Sequence, residues 1–202
     1  MVAGPTGSGK TKWVYTFLQQ MDYLYETPPR KIMYCYGIYQ PLFEEMEQEL
    51  PQLTLHRGLP TTKDIEDFAE GQHDLIVLDD LMHDVLDSKT VELMFTRDCH
   101  HRKLSVIFIT QNIYGQGKSA RTIALNCWYM VLFKNIRGTS QIQTLGRQLF
   151  PRKSGMLTEA FADATNVPFG YLMIDLTPRG RDDYRLRSGI FRGDDLVLYK
   201  SL

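Results

Sequence analysis

The chain has 202 residues, 43% of them hydrophobic, and a formal net charge of −1. That is ample apolar material for one globular domain over residues 1–202. No run of 18 apolar residues occurs and the N-terminus lacks the charged-then-apolar layout of an export signal, so neither a membrane-spanning nor a secreted protein is expected.

The first feature along the chain is Gly4-Pro5-Thr6-Gly7-Ser8-Gly9-Lys10-Thr11, which fits the phosphate-loop pattern G-x-x-x-x-G-K-[ST] at every fixed position. Glycines let backbone N–H groups curl round a β-phosphate with no Cβ in the way. Lys10 brings a flexible point charge to the β- and γ-phosphates, and the Thr11 hydroxyl can ligate Mg²⁺. Lys12 to Gln20 reads as a helix, which puts a helix N-terminus under the phosphates of a nucleotide. A feeding strand of about five or six residues should precede such a loop, and only Met1-Val2-Ala3 stand there. A truncated chain or misplaced start is the expectation.

Lys31 to Tyr36 reads as a strand, Pro41 to Leu50 as a helix with Leu42, Met46 and Leu50 on one face, and Leu53 to His56 as a second strand. Thr61 or Thr62 caps a short acidic helix reaching Ala69. Asp74-Leu75-Ile76-Val77-Leu78-Asp79-Asp80 has the look of a buried parallel strand that ends at a site. A helix from about Ser88 to His100 follows, then the strand Ser105 to Thr110 ending in Gln111-Asn112. A glycine-bearing loop (Gly115, Gly117) and a short helix lead to a strand from Trp128 to Phe133. Helices over Thr139–Leu149 and Ser154–Asn166, a strand over Tyr171–Asp175 and a hairpin-like stretch from Arg185 to Tyr199 complete the chain. Strands alternating with helices in this way predict an α/β three-layer sandwich with a mainly parallel central sheet and a stunted first strand.

The small net charge hides a division. Residues 41–98 carry 15 acidic and four basic residues, whereas residues 97–153 carry ten basic residues and a single acid, Asp98. A basic stretch of that kind suits phosphates, of nucleotide or nucleic acid. Cys35, Cys99 and Cys127 are scattered singly, as reduced thiols in an intracellular setting would be. Cys99-His100-His101 lacks a second ligand pair, so zinc is not expected.

Ligands of parallel sheets collect at the carboxyl ends of the strands. Asp79 closes its strand where a Walker B acid holds Mg²⁺, and Asp80 is placed to orient or deprotonate an attacking water. Gln111, at the end of the next strand, can hydrogen-bond both a γ-phosphate and that water.

This ordered set resembles the FtsK–HerA superfamily of hexameric DNA-pumping ATPases, in which a glutamine closes the strand after Walker B. Val77-Leu78-Asp79-Asp80-Leu81-Met82, His100-His101-Arg102-Lys103-Leu104-Ser105 and Thr110-Gln111-Asn112 are similar to the genome-packaging ATPases of Polinton/Maverick elements, adintoviruses and poxvirus-like viruses. So are Arg121 to Asn126, Val131 to Asn135 and Gly170 to Asp175. The second Walker B acid is Asp80 where many members carry Glu, one methylene longer.

The resemblance implies a P-loop ATPase fold, ATP and Mg²⁺ as ligands, self-association into a ring, double-stranded DNA gripped by its backbone, and a capsid or portal partner. It places the protein in the host nucleus, a viral factory or the virion. It also implies an arginine reaching the site of a neighbouring subunit, first Arg102, with Arg97, Arg121 and Arg147 as alternatives. Tyr114 to Ser119 is a weakly basic segment suited to a pore loop. A nucleoside or nucleotide kinase, a helicase relative and a non-hydrolysing assembly protein are the competing readings.

Overall fold

The structure is a computed structural model and describes residues 1–69, 73–81, 85, 88–98, 103–115 and 118–200. Nine strands are present among the described residues: β1 (Val2–Ala3), β2 (Ile32–Tyr36), β3 (Leu53–Arg57), β4 (Asp74–Asp79), β5 (Leu104–Thr110), β6 (Tyr129–Phe133), β7 (Tyr171–Asp175), β8 (Leu186–Ser188) and β9 (Val197–Tyr199). The Cα positions group into two compact units.

One unit comprises Thr11–Thr110 and Gly115–Asn126. Its strands β3, β2, β4 and β5 pair in parallel, with Ile32 beside Leu53 and Leu75, and Leu78 beside Phe108. Every residue of β4 is buried, as expected of a strand covered on both faces. Helix Lys10–Gln19 turns Trp13, Val14 and Leu18 inward, and Trp13 stacks on Phe17 with centroids 5.4 Å apart. Helix Leu42–Glu49 packs Phe43 and Met46 inward, and Phe43 meets the rings of Tyr34 and Tyr36 at 5.2 and 5.1 Å. Helix Thr62–Phe68 opens on a capping box. Thr61 Oγ1 accepts from Asp64 N–H at 3.2 Å and Thr61 N–H donates to the Asp64 carboxylate at 2.7 Å. Two hydrogen bonds from Thr61, side chain first and then backbone, hold the Asp64 carboxyl below its ordinary pKa.

The other unit comprises Met1–Lys10, Gln111–Tyr114 and Cys127–Leu202. Its β1 runs parallel to β6, Val2 beside Val131 and Ala3 beside Leu132. From there pairing reverses: β6–β7, β7–β8 and β8–β9 are all antiparallel. Helices Thr139–Leu149 and Gly155–Ala164 cross closely at Gly146, where an added Cβ would lie 2.6 Å from Ser154 O.

The α/β class and the mainly parallel pairing agree with the pattern in the sequence, and the antiparallel β7 is the departure. The helix expected from Ser88 to His100 is regular only over Lys89–Leu93, after which Met94–Asp98 forms a wider π-turn. Residues 99–102, with His100, His101 and Arg102, lie outside the described residues. No helix among the described residues is long and apolar enough to cross a membrane.

Candidate active site

The strand β1 delivers the chain into the loop Gly4–Lys10. Gly7 and Gly9 take φ of 77° and 94°, a left-handed backbone that glycine adopts without strain. Gly4 is constrained differently, since a Cβ there would lie 2.7 Å from Phe133 Cβ and 2.8 Å from Ser8 Oγ. Ser8 N–H donates to Pro5 O at 3.2 Å, and the Lys10 ammonium donates to the same carbonyl at 2.8 Å. The loop is therefore closed on itself, with Lys10 folded over its first turn. The Ser8 hydroxyl is buried with no hydrogen-bond partner among the described residues, so this turn holds an unused polar atom.

Within the parallel unit, Thr11 and Asp79 come together: Thr11 Oγ1 donates to Asp79 Oδ2 at 3.0 Å. Tyr34, on β2, donates its hydroxyl to the same oxygen at 2.8 Å. Asp79 is only 3% exposed. Two hydroxyl donors explain how a carboxylate is tolerated there, because a buried charge without hydrogen bonds is strongly disfavoured. Burial, then the Asp79 charge and hydrogen bond, push the Tyr34 phenol well above its ordinary pKa, so it remains an O–H donor. A hydroxyl beside a carboxylate is a hard oxygen donor set that fits Mg²⁺, which keeps most of its waters and takes one or two protein ligands.

Asp80 follows with φ of 55°, a conformation that Asp reaches more readily than most residues. Its carbonyl lies against Gly37, where a Cβ would fall 2.5 Å from Asp80 O, and Gly37 N–H donates to Asp79 O at 3.1 Å. Asp80, just past the end of β4, is exposed.

Gln111, exposed, begins the segment that follows β5. Gln141 on helix Thr139–Leu149 clamps the next two residues, its Oε1 accepting from Ile113 N–H at 2.9 Å and its Nε2 donating to Asn112 Oδ1 at 3.4 Å. Arg121 and Arg147 are exposed on helices Lys118–Asn126 and Thr139–Leu149. Arg102 lies outside the described residues, and of Arg97 only the backbone is described. In the expected pore segment, Tyr114 donates to Gln148 Oε1 at 2.9 Å, while residues 116 and 117 lie outside the described part.

Tyr34, Gly37 and Gln141 were missed by sequence reasoning. A tyrosine in an otherwise apolar buried strand was the available signal for Tyr34, since a buried phenol needs a partner. No group of three or more His, Cys, Asp or Glu able to hold a metal is found among the described residues. Cys35 and Cys127 are buried free thiols, and burial first, then the Asp64 charge, pushes Cys35 up to about 12.

Solved structures share this arrangement of elements. B204, the DNA-packaging ATPase from Sulfolobus turreted icosahedral virus, matches with a TM-score of 0.60 at 9% identity, over 100% of this chain and 96% of its own. The genome-packaging NTPase B204 from Sulfolobus turreted icosahedral virus 2, in complex with AMPPCP, matches at 0.59 and 11% identity, over 100% and 96%. Its complex with ATP-gammaS matches at 0.55 and 10%, over 100% and 95%. The fold is that of these packaging NTPases. No known protein family and no curated protein matches the sequence itself.

Proposed function

We propose that this chain is a Mg²⁺-dependent ATPase that translocates double-stranded DNA, packaging a viral or virus-like genome into a capsid. The observation that carries this reading is the 3.0 Å hydrogen bond between Thr11 Oγ1 and Asp79. It unites the last residue of the phosphate-loop motif with the acid that ends β4. The fold of packaging NTPases, one of them in complex with AMPPCP and ATP-gammaS, supports ATP as the nucleotide.

In this reading the backbone of Gly4, Pro5, Thr6, Gly7, Ser8 and Gly9 cradles the β-phosphate. Lys10 leaves Pro5 O to reach the β- and γ-phosphates, and Thr11 and Asp79 hold the metal, which when bound offsets charge on the phosphate oxygens. Asp80 takes a proton from the water whose oxygen attacks the γ-phosphorus, as the bond to the ADP oxygen breaks. Gln111 orients that water and senses the γ-phosphate, and Gln141 fixes the turn that carries it. A neighbouring subunit in a hexameric ring contributes an arginine, Arg102 first. The superfamily is FtsK–HerA, in the branch of Polinton/Maverick and adintovirus packaging enzymes. A capsid or portal protein is the further partner, and the host nucleus, viral factory or virion is the place of action.

Steady-state ATP turnover with and without long double-stranded DNA tests this, beside Lys10→Ala and Asp80→Asn. Turnover that rises with DNA and disappears in both variants is the expected result. Nucleotide binding without turnover, with or without DNA, would sink the motor reading in favour of an assembly protein or kinase. If about six phosphates are neutralised, log affinity for DNA falls against log salt with a slope near −5.

A further inference from the structure

The chain enters β7 through the turn Val167-Pro168-Phe169-Gly170, closed by Gly170 N–H donating to Val167 O at 3.0 Å. Pro168 holds the second position with the φ its ring imposes. Phe169 holds the third, with φ of +60°. A turn with proline second and positive φ third is of type II, and the third position favours glycine. A bulky residue in this conformation is a strained outlier, and such outliers persist where function requires them.

Packing does not compensate Phe169 for that strain. Its side chain is part of a residue 70% exposed, and Val167 beside it is 62% exposed. What the ring does touch is the phosphate loop. A Cβ on Gly9 would lie 2.9 Å from Phe169 Cδ1, and 3.6 and 3.7 Å from its Cγ and Cβ. Gly9 and Phe169 belong to the same compact unit. A strained, water-facing aromatic ring thus lies against the glycine that precedes Lys10. Glycine at 169 would suit the backbone better, so the ring is present at a conformational cost.

We infer that Phe169 is the platform on which the nucleobase of the bound nucleotide stacks. The inference rests on the reading of Gly4–Thr11 as a phosphate loop and extends it to the other end of the ligand. Such a loop grips phosphates and leaves the base unread, and a largely exposed ring lying against it is available to the rest of the nucleotide. Stacking is tolerant of base identity, because every base has a π-face. The platform therefore contributes affinity with little discrimination between adenine and guanine.

Calorimetric titration with ATP and with inorganic tripolyphosphate, both with Mg²⁺, separates the two ends of the ligand. Phe169→Gly is expected to weaken ATP about tenfold, as the loss of one base stack does, with tripolyphosphate changed less than twofold. Phe169→Tyr retains ATP affinity. Phe169→Leu, which keeps apolar bulk without a π-face, loses ATP selectively and gives the answer should the glycine variant fail to fold. Equal losses for both ligands would mean that the ring only shapes the loop, and no loss for ATP would remove the platform. Either result leaves the phosphate loop intact. Wild-type protein that binds neither ligand, or Lys10→Ala that binds both as wild type does, would instead overturn the phosphate-loop reading and the platform with it.

Discussion

Strands β4 and β9 show how differently the two units use their sheets. All six residues of β4 are buried, whereas β9 has no buried residue and Val197 is 41% exposed. The parallel strand is stabilised by its covering on both faces and delivers two carboxylates at its end. The antiparallel strand has little apolar burial to lose. The proposed metal ligand Asp79 and general base Asp80 thus stand at the end of the fully buried strand.

The largest test of that contrast is catalytic. Asp80→Asn is expected to lower ATP turnover about 10²–10⁴-fold, the range a general base supplies, with nucleotide affinity kept. A variant that turns over normally would move the base elsewhere. Next comes packing. Phe43→Ala, at a fully buried position, should cost about 3–5 kcal/mol in urea unfolding, and Val197→Ala within about 0.5 kcal/mol. Equal costs would break the comparison. Tyr34→Phe should be smaller than Phe43→Ala, about 1–3 kcal/mol, because Asp79 loses the Tyr34 hydroxyl donor and stays buried.

The smallest effect is on pH dependence. The folded Cys35 thiol has its pKa raised from 9.0 to about 12, by burial first. A raised pKa means that its contribution is fully present below pH 9 and is lost as pH rises from there toward 12. The stability advantage of wild type over Cys35→Ala should accordingly shrink between pH 9 and 10.5, and a constant gap would show that burial does not hold the proton.

Much of this was legible in the sequence because the signals were local. The run Leu75-Ile76-Val77-Leu78 between aspartates announced a buried parallel strand, and the spacing of Gly4, Gly9, Lys10 and Thr11 announced the loop. Thr11 and Asp79 were each read from motif order as Mg²⁺ ligands, and the structure brings the two together. Tyr34, Gly37 and Gln141 were not legible, because each acts through a contact distant in sequence: 45 residues separate Tyr34 from Asp79. The antiparallel β7 was hidden too. Tyr171-Leu172-Met173-Ile174 reads as a buried strand in either direction, and direction depends on register with Phe133 and Tyr129. The π-turn over Met94–Asp98 keeps the same apolar spacing as a regular helix and leaves no mark in composition.

Among the described residues two buried thiols occur, one in each unit: Cys35 in the parallel one and Cys127 in the other. A thiol-specific reagent can reach either sulfur only when the surrounding structure opens. The rates at which the two react under native conditions therefore clock the breathing of each unit separately. With nucleotide or DNA added, the same two clocks would tell which half of the molecule tightens first.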